Sequence, residues 1–299
     1  MSTLPTENCK SIIDGRWWGE LARRRGANRL IKTFLRRISG YISLPIDVQL
    51  ALNLTDYPAY MYCVYHAAQL ARRLGLDRIS VIEFGVAGGN GLVFLDQLAE
   101  RVAEEVGVRV QVYGFDSGKG LPEATRPEDL PYWFQKSQYR GNTTLLAPRL
   151  KSTQLILGDV NVTVADFFAT YHPAPVGAVL NDLDLYSSTA DSLSLFDNAP
   201  DCFLPRVFVY FDDIIGSELE MYSSYNGQLR AIAEFNQGHN SVYLDCNRNL
   251  LPRCDLSYRY QIYYAHLLSH PRYASFVGHD EQVRLEAELK LKVGKPGSC

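Results

Sequence analysis

Short apolar runs alternate with amphipathic stretches along most of the chain. Apolar residues recur at helical spacing and predict helices at 57–74, 92–106, 162–171 and 218–236. Runs rich in β-branched residues predict seven strands, at 79–84, 108–115, 152–157, 176–180, 207–211, 241–244 and 258–266. Strands separated by helices indicate a Rossmann-like α/β fold, with a mainly parallel seven-stranded sheet and helices on both faces.

The first 55 residues depart from this alternation. They predict an accessory, helical N-terminal region (1–55) followed by the main domain (56–299), with Trp17 and Trp18 as packing anchors. Between residues 23 and 37, seven Arg and Lys residues interleave with apolar ones. Such a helix packs its apolar side on the main domain or on a second subunit. In the second case the protein would form a homo-oligomer through this region. Contact with an anionic membrane or a phosphorylated ligand is the alternative.

Composition narrows the class of protein further. A net charge of -3 argues against nucleic-acid binding, which is typical of strongly basic chains. Six cysteines without a CxxC pair predict reduced thiols rather than disulfides or a zinc site. No apolar stretch approaches the roughly 20 residues of a membrane-spanning helix, and the N-terminus lacks a signal-peptide run. We therefore expect a cytoplasmic protein that binds no nucleic acid and spans no membrane.

Acidic residues mark the ends of the predicted strands. One acid falls at or just past the carboxyl end of each of the first five strands, namely Glu83, Asp116, Asp159, Asp182 and Asp212. In an open parallel sheet these ends line one crevice, where ligands bind. Each acid taken singly has a simpler explanation as a helix cap or a turn residue. The ordered set predicts a ligand-binding crevice.

The first half of this crevice suits an adenosyl cofactor. Gly85, Gly88 and Gly89 form a turn between a strand and a helix, where a backbone approaches a ligand closely and helix N–H groups face its carboxylate. A dinucleotide GxGxxG motif fits poorly, because Phe94 stands where its third glycine belongs. Asp116, with Ser117 beside it, is placed to bind a ribose diol, and Asp159 to accept from an adenine amino group. With Glu83 and Asp182, these residues predict a site for S-adenosylmethionine.

The second half of the crevice suits a metal ion. Asp182, Asp212 and Asp213 follow adjacent predicted strands, and clustered carboxylates repel one another unless a cation neutralises them. An all-oxygen set favours Mg²⁺ or Ca²⁺ over zinc. A bound ion lowers the pKa of an acceptor hydroxyl, and Asp184 is placed to take its proton. The alternative is that the acids cap a helix near Ser188 and form a turn.

These motifs resemble a known family. The segments EFGVAGG, YGFDSGKGLPE, GD, DLDLYSST and FDD, in this order between residues 83 and 213, are similar to the macrocin-type sugar O-methyltransferases of antibiotic biosynthesis, which are class I S-adenosylmethionine-dependent enzymes. The resemblance implies that Asp182, Asp212 and Asp213 bind Mg²⁺. It further implies that Asp184 is the general base, and that Glu83 and Asp116 serve the cofactor. The expected reaction is O-methylation of a hydroxyl on a small polar molecule of the sugar or natural-product type.

Other functions stay open at this point. They are a metal-independent N- or O-methyltransferase, a non-catalytic module that binds S-adenosylmethionine, and, least favoured, a nicotinamide oxidoreductase. The long segment 119–151 predicts either an aromatic cover over the crevice or a cluster that pins the loop to the body. His239, His266 and His270 are alternative bases, although a lone histidine is more often structural.

Overall fold

A seven-stranded sheet runs through the centre of the computed structural model, which describes residues 44–293. The basic segment and both N-terminal tryptophans lie outside these residues. The strands are β1 Arg78–Phe84, β2 Arg109–Asp116, β3 Gln154–Leu157, β4 Val176–Asn181, β5 Phe203–Phe211, β6 Val242–Cys246 and β7 Ile262–Leu267. Their order is β3-β2-β1-β4-β5-β7-β6, and β7 runs antiparallel to both of its neighbours. The predicted fold, a mainly parallel seven-stranded sheet with helices, is confirmed.

Helices connect the strands and cover the sheet. The α-helices of the described residues are α1 Ile46–Leu52, α2 Pro58–Arg73, α3 Asn90–Val106, α4 Thr143–Leu146, α5 Val160–Ala165, α6 Phe167–Tyr171, α7 Tyr186–Leu193, α8 Gly227–Gly238 and α9 His279–Val293. Pro58 opens α2 in the first turn, where its missing N–H leaves no bond unmade. Within the described part of the chain, no helix combines the length and the apolar content needed to cross a membrane.

Two sequence predictions of helices need correction. The helix expected at 218–236 begins only at Gly227, nine residues later. The residues before it form turns, and both Met221 within them and Gly227 at the helix start have positive φ angles, of 54° and 55°. The amphipathic stretch 162–171 is divided into α5 and α6 at Asp166. The first difference matters for function, because the segment between β5 and α8 reaches the pocket described below.

The sheet separates two apolar cores. Ala178 and Leu180 of β4 pack with α2 and α3 on one face, whereas Val179 packs with α7 and α8 on the other. This alternation follows from the two-residue period of a strand buried on both sides. Strands β2 and β3 lie on one side of β1, and β4 and β5 lie on the other, so the strand order reverses between β1 and β4. This reversal opens a crevice at the carboxyl ends of the strands.

Candidate active site

A pocket of about 750 Å³ opens at the carboxyl ends of the parallel strands. Its wall includes eight of the residues predicted from the sequence, Gly85, Asp116, Ser117, Asp159, Asp182, Asp184, Asp212 and Asp213. Glu83, Gly88 and Gly89 are not part of the wall. The remaining lining comes mostly from segment 119–139 and from the residues after β5. The topology thus brings most of the predicted acids to one cavity.

The turn after β1 depends on its glycines to different degrees. Gly85 has a φ of 84°, and a Cβ built there would lie 1.7 Å from the carbonyl oxygen of Asp182. Gly89 has a φ of 80°, and a Cβ there would meet the side chain of Leu146. Gly88 has open space around it and no positive φ. Gly85 is therefore required by the close approach of the loop after β4, and Gly88 is not.

Asp116 ties this turn to β2. Its Oδ2 accepts hydrogen bonds from the backbone N–H groups of Val86 (3.0 Å) and Ala87 (2.9 Å), and its Oδ1 accepts one from Gly118 (2.6 Å). A carboxylate offers about four acceptor positions, so one remains for a ligand. The side chain of Ser117 closes the adjacent turn, because its Oγ donates to the carbonyl of Gly120 at 3.0 Å.

Asp159 and Glu83 have opposite surroundings. Asp159 is exposed at the pocket wall, and its carboxylate has no hydrogen-bond partner among the described residues. Glu83 is 2% exposed, and its Oε1 accepts a hydrogen bond from the hydroxyl of Tyr60 at 3.0 Å. Burial, followed by the charges of Asp182 and Asp116, raises the pKa of Glu83 well above its usual value. Glu83 therefore lies outside the pocket wall, whereas the carboxylate of Asp159 lines the pocket and can bind a ligand.

Three carboxylates meet at the ends of β4 and β5. One oxygen each from Asp182, Asp212 and Asp213 lies within 4.8 Å of the others. Burial first, and then the neighbouring carboxylates, raise the pKa of Asp182 and of Asp213 well above the usual value. The same causes raise the pKa of Asp184 to about 7. Carboxylates this close, shielded in part from solvent, are stabilised by a cation, and their oxygen atoms fit Mg²⁺.

Asp184 is fixed by its backbone. It has a φ of 61°, which is uncommon for a residue with a side chain. Its N–H donates to Oδ2 of Asp213 at 2.9 Å, and this bond holds the loop after β4 against the end of β5. Asp184 therefore lies beside the acid cluster with its own carboxylate in the pocket wall.

Residues outside the predicted set form hydrogen bonds to the acid cluster. The hydroxyl of Tyr210 donates to Oδ1 of Asp212, and Nε2 of Gln261 donates to the backbone carbonyl of Asp212 at 2.9 Å. Gln228 is fully buried and bonds to the backbone of Asp213. The sequence pattern did not reveal Gln228 or Gln261, because a single glutamine in a helix or loop carries no motif.

The segment 119–151 is joined to the site by specific bonds. Asp129 is 1% exposed, and its Oδ1 accepts a hydrogen bond from the N–H of Ser187 in the first turn of α7 at 2.7 Å. The hydroxyl of Tyr132 donates to the carbonyl of Glu220, in the segment before α8, at 2.8 Å. Leu130, Phe134 and Leu185 form a small apolar cluster beneath these contacts. Tyr139 and Tyr222, from the two segments, line the pocket.

The three histidines lie elsewhere. His239 bonds to the Phe235 carbonyl and to Asp197, and His266 bonds to the hydroxyl of Tyr273. Nδ1 of His270 accepts from the N–H of Arg272. None of the three is in the pocket wall, and each forms a hydrogen bond to neighbouring protein groups.

Comparison with known proteins gives a structural likeness only. No protein-family model and no curated protein matches the chain. Among solved structures it is similar to the calicheamicin methyltransferase CalS11, with 19% identity, coverage of 82% of this chain and 93% of that chain, and a TM-score of 0.48. The O-methyltransferase NovP has 14% identity, with coverage of 70% and 79% and a TM-score of 0.46.

A third structure carries ligands. The MycE methyltransferase from the mycinamycin biosynthetic pathway, in complex with Mg and SAH, has 15% identity, with coverage of 71% of this chain and 51% of that chain and a TM-score of 0.33. The solved structures that resemble this chain thus include methyltransferases, the class of protein expected from the sequence.

Proposed function

We propose that this protein is an S-adenosylmethionine-dependent O-methyltransferase assisted by Mg²⁺. The observation that carries the proposal is the convergence of Asp182, Asp212 and Asp213 within 4.8 Å, beside Asp184, in a pocket at the strand ends. A cavity of about 750 Å³ lies within the range of small-molecule sites. Neither a scaffold nor an oxidoreductase requires this acid cluster.

The adenosyl ligand would be held at the β1–β3 side of the pocket. Asp116 retains one acceptor position for a ribose hydroxyl, and Asp159 offers a free carboxylate to an adenine amino group. Phe115 and Val160 supply apolar surface beside them. S-adenosylmethionine would supply a methyl group bound to a sulfonium sulfur, and the neutral thioether S-adenosylhomocysteine would be the leaving group. Because Gly85 has no side chain, the turn after β1 can lie close to the loop after β4.

The metal ion would be held by Asp182, Asp212 and Asp213. When bound, Mg²⁺ lowers the pKa of a coordinated hydroxyl and neutralises the acids around it. Asp213 is buried and Asp182 and Asp212 are half-buried, and their carboxylates bring a charge that a divalent cation balances. Tyr210 and Gln261 bond to the carboxylate of Asp212 and orient it. Donor chemistry and burial therefore fit this ion.

Asp184 would accept the proton of the acceptor hydroxyl. Its backbone bond to Asp213 keeps its carboxylate next to the cluster, and proton transfer needs such fixed proximity. The acceptor would lie between the acids and the segments that contribute Tyr139 and Tyr222, whose rings can stack on a sugar or natural-product ring. We therefore propose a hydroxyl of a small polar molecule as the methyl acceptor.

A labelled-methyl assay tests this proposal. The protein is incubated with methyl-labelled S-adenosylmethionine, Mg²⁺ and a panel of glycosides and phenols, and transfer of label is measured together with S-adenosylhomocysteine release. We expect transfer to at least one hydroxyl, and its loss on chelation with EDTA. Transfer that survives full chelation would remove the metal from the proposal. Absence of S-adenosylhomocysteine binding by calorimetry would contradict the proposed function as a whole.

A further inference from the structure

Gln228 lies between the two loops that carry the acid cluster. It occupies the first turn of α8, directly after Gly227, and its side chain is fully buried. Its Oε1 accepts a hydrogen bond from the backbone N–H of Asp213 at 2.9 Å. Its Nε2 donates to the backbone carbonyl of Asn181, the last residue of β4, at 3.4 Å. One amide group thus contacts the end of β4 and the loop after β5.

These two contacts join backbone groups next to two of the acids. The carbonyl of Asn181 also accepts from the N–H of Asp212 at 3.0 Å, so the peptides next to Asp182 and Asp213 share one small network. Gln228 accepts the hydrogen bond of the buried Asp213 N–H, and a buried N–H is costly to leave unpaired. The same amide group adds a second hydrogen bond to the Asn181 carbonyl, so one side chain links the backbone at the ends of β4 and β5. Gln228 is not part of the pocket wall, so any effect on a bound ion would pass through the backbone.

We propose that Gln228 is a positioning residue that holds Asp182 and Asp213 at the separation a divalent cation requires. The proposal rests on the metal site described under the proposed function. Groups that orient metal ligands without touching the ion typically change metal affinity about 10- to 100-fold when removed. Gln228 would act on the orientation of the ligands, and the adenosyl part of the pocket would not depend on it.

The test is the affinity for Mn²⁺, measured by calorimetry on the full chain without added cofactor. In Gln228→Met the side chain keeps its length and loses both hydrogen bonds. Asn236→Leu is a matched control, because Asn236 lies on the same helix and its amide also makes two backbone bonds, to the N–H and carbonyl of Leu244 at 2.8 Å each. S-adenosylhomocysteine affinity is measured on each variant as a check on the rest of the pocket.

We expect Gln228→Met to bind Mn²⁺ about 10- to 100-fold more weakly, with S-adenosylhomocysteine affinity within about twofold of the original. Asn236→Leu should retain Mn²⁺ affinity although it loses a similar number of bonds. Equal Mn²⁺ affinity in Gln228→Met and the original protein would overturn the inference, as would parallel loss of both ligands. If Gln228→Met does not fold, Gln228→Asn, which is one methylene shorter, should show the same loss. Failure of the original protein to bind Mn²⁺ would instead overturn the proposed metal site itself.

Discussion

Two glycines of one turn should differ sharply in their response to the addition of a methyl group. Gly85→Ala places a Cβ 1.7 Å from the carbonyl oxygen of Asp182 and forces alanine to a φ of 84°. Gly88→Ala adds a Cβ with nothing within 4 Å. Both glycines belong to the sequence motif, and only the structure separates them.

The magnitude follows from the overlap. Carbon and oxygen in ordinary contact lie about 3.3 Å apart, so the Asp182 carbonyl would have to move by roughly 1.6 Å. A displacement near 1 Å in a catalytic group costs about 100-fold in rate. The left-handed backbone and the overpacking together should lower the free energy of unfolding by about 2–5 kcal/mol. Gly88→Ala should change the free energy of unfolding, and the activation free energy that sets the rate, by less than about 0.5 kcal/mol each.

Calorimetry with S-adenosylhomocysteine and Mn²⁺, combined with urea unfolding, measures both effects. We expect Gly85→Ala to lose stability and at least tenfold in Mn²⁺ affinity, since the displaced peptide carries the Asp182 ligand. Gly88→Ala should match the original protein in every measurement. Equal ligand affinities and stability in the two variants would refute the view that the loop after β4 requires Gly85.

Three further predictions concern single acids. Asp184→Asn keeps its backbone bond but cannot take a proton, so the kcat for methyl transfer should fall about 10²- to 10⁴-fold while S-adenosylhomocysteine affinity is retained. A full rate would exclude Asp184 as the base. Asp129→Ala removes the bond to the N–H of Ser187 and should lower the free energy of urea unfolding by about 1–2 kcal/mol; no change would show that this contact is dispensable. Burial raises the pKa of Asp96, but hydrogen bonds led by that from Thr153 outweigh this effect, so its pKa lies below the usual value. The contribution of Asp96 to the free energy of unfolding should be present above about pH 4 and lost as the pH falls further. In unfolding experiments, Asp96→Asn should lack this part of the acid dependence.

The sheet was predictable because its pattern is local. A strand buried on both faces appears in the sequence as a short apolar run, as at Val176–Asn181. Acids that directly follow such runs lie at one edge of a parallel sheet, so the sequence alone predicts that Asp182 and Asp213 belong to one cluster. The two-residue period of the strands and the tendency of ligands to bind at the carboxyl ends of parallel strands together predict most of the fold.

Contacts between distant segments were not predictable in the same way. The start of α8 was misplaced because the acids and apolar residues before Gly227 also fit a helical period, and only the positive φ angles in this segment reveal turns. Nothing in the sequence indicated that the Asp116 carboxylate binds the backbone of the glycine turn. The same holds for Asp129, which lies 58 residues from its partner at the start of α7. Such bonds depend on the tertiary structure, so a local pattern does not encode them.

The most direct test of the account is a crystal structure of the protein grown with S-adenosylhomocysteine and Mn²⁺, with anomalous scattering used to locate the manganese. We expect one anomalous peak between the carboxylates of Asp182, Asp212 and Asp213, with the adenosyl group beside Asp116 and Asp159. A manganese peak away from these three carboxylates, or an adenosyl group bound outside the strand-end pocket, would contradict the central claim.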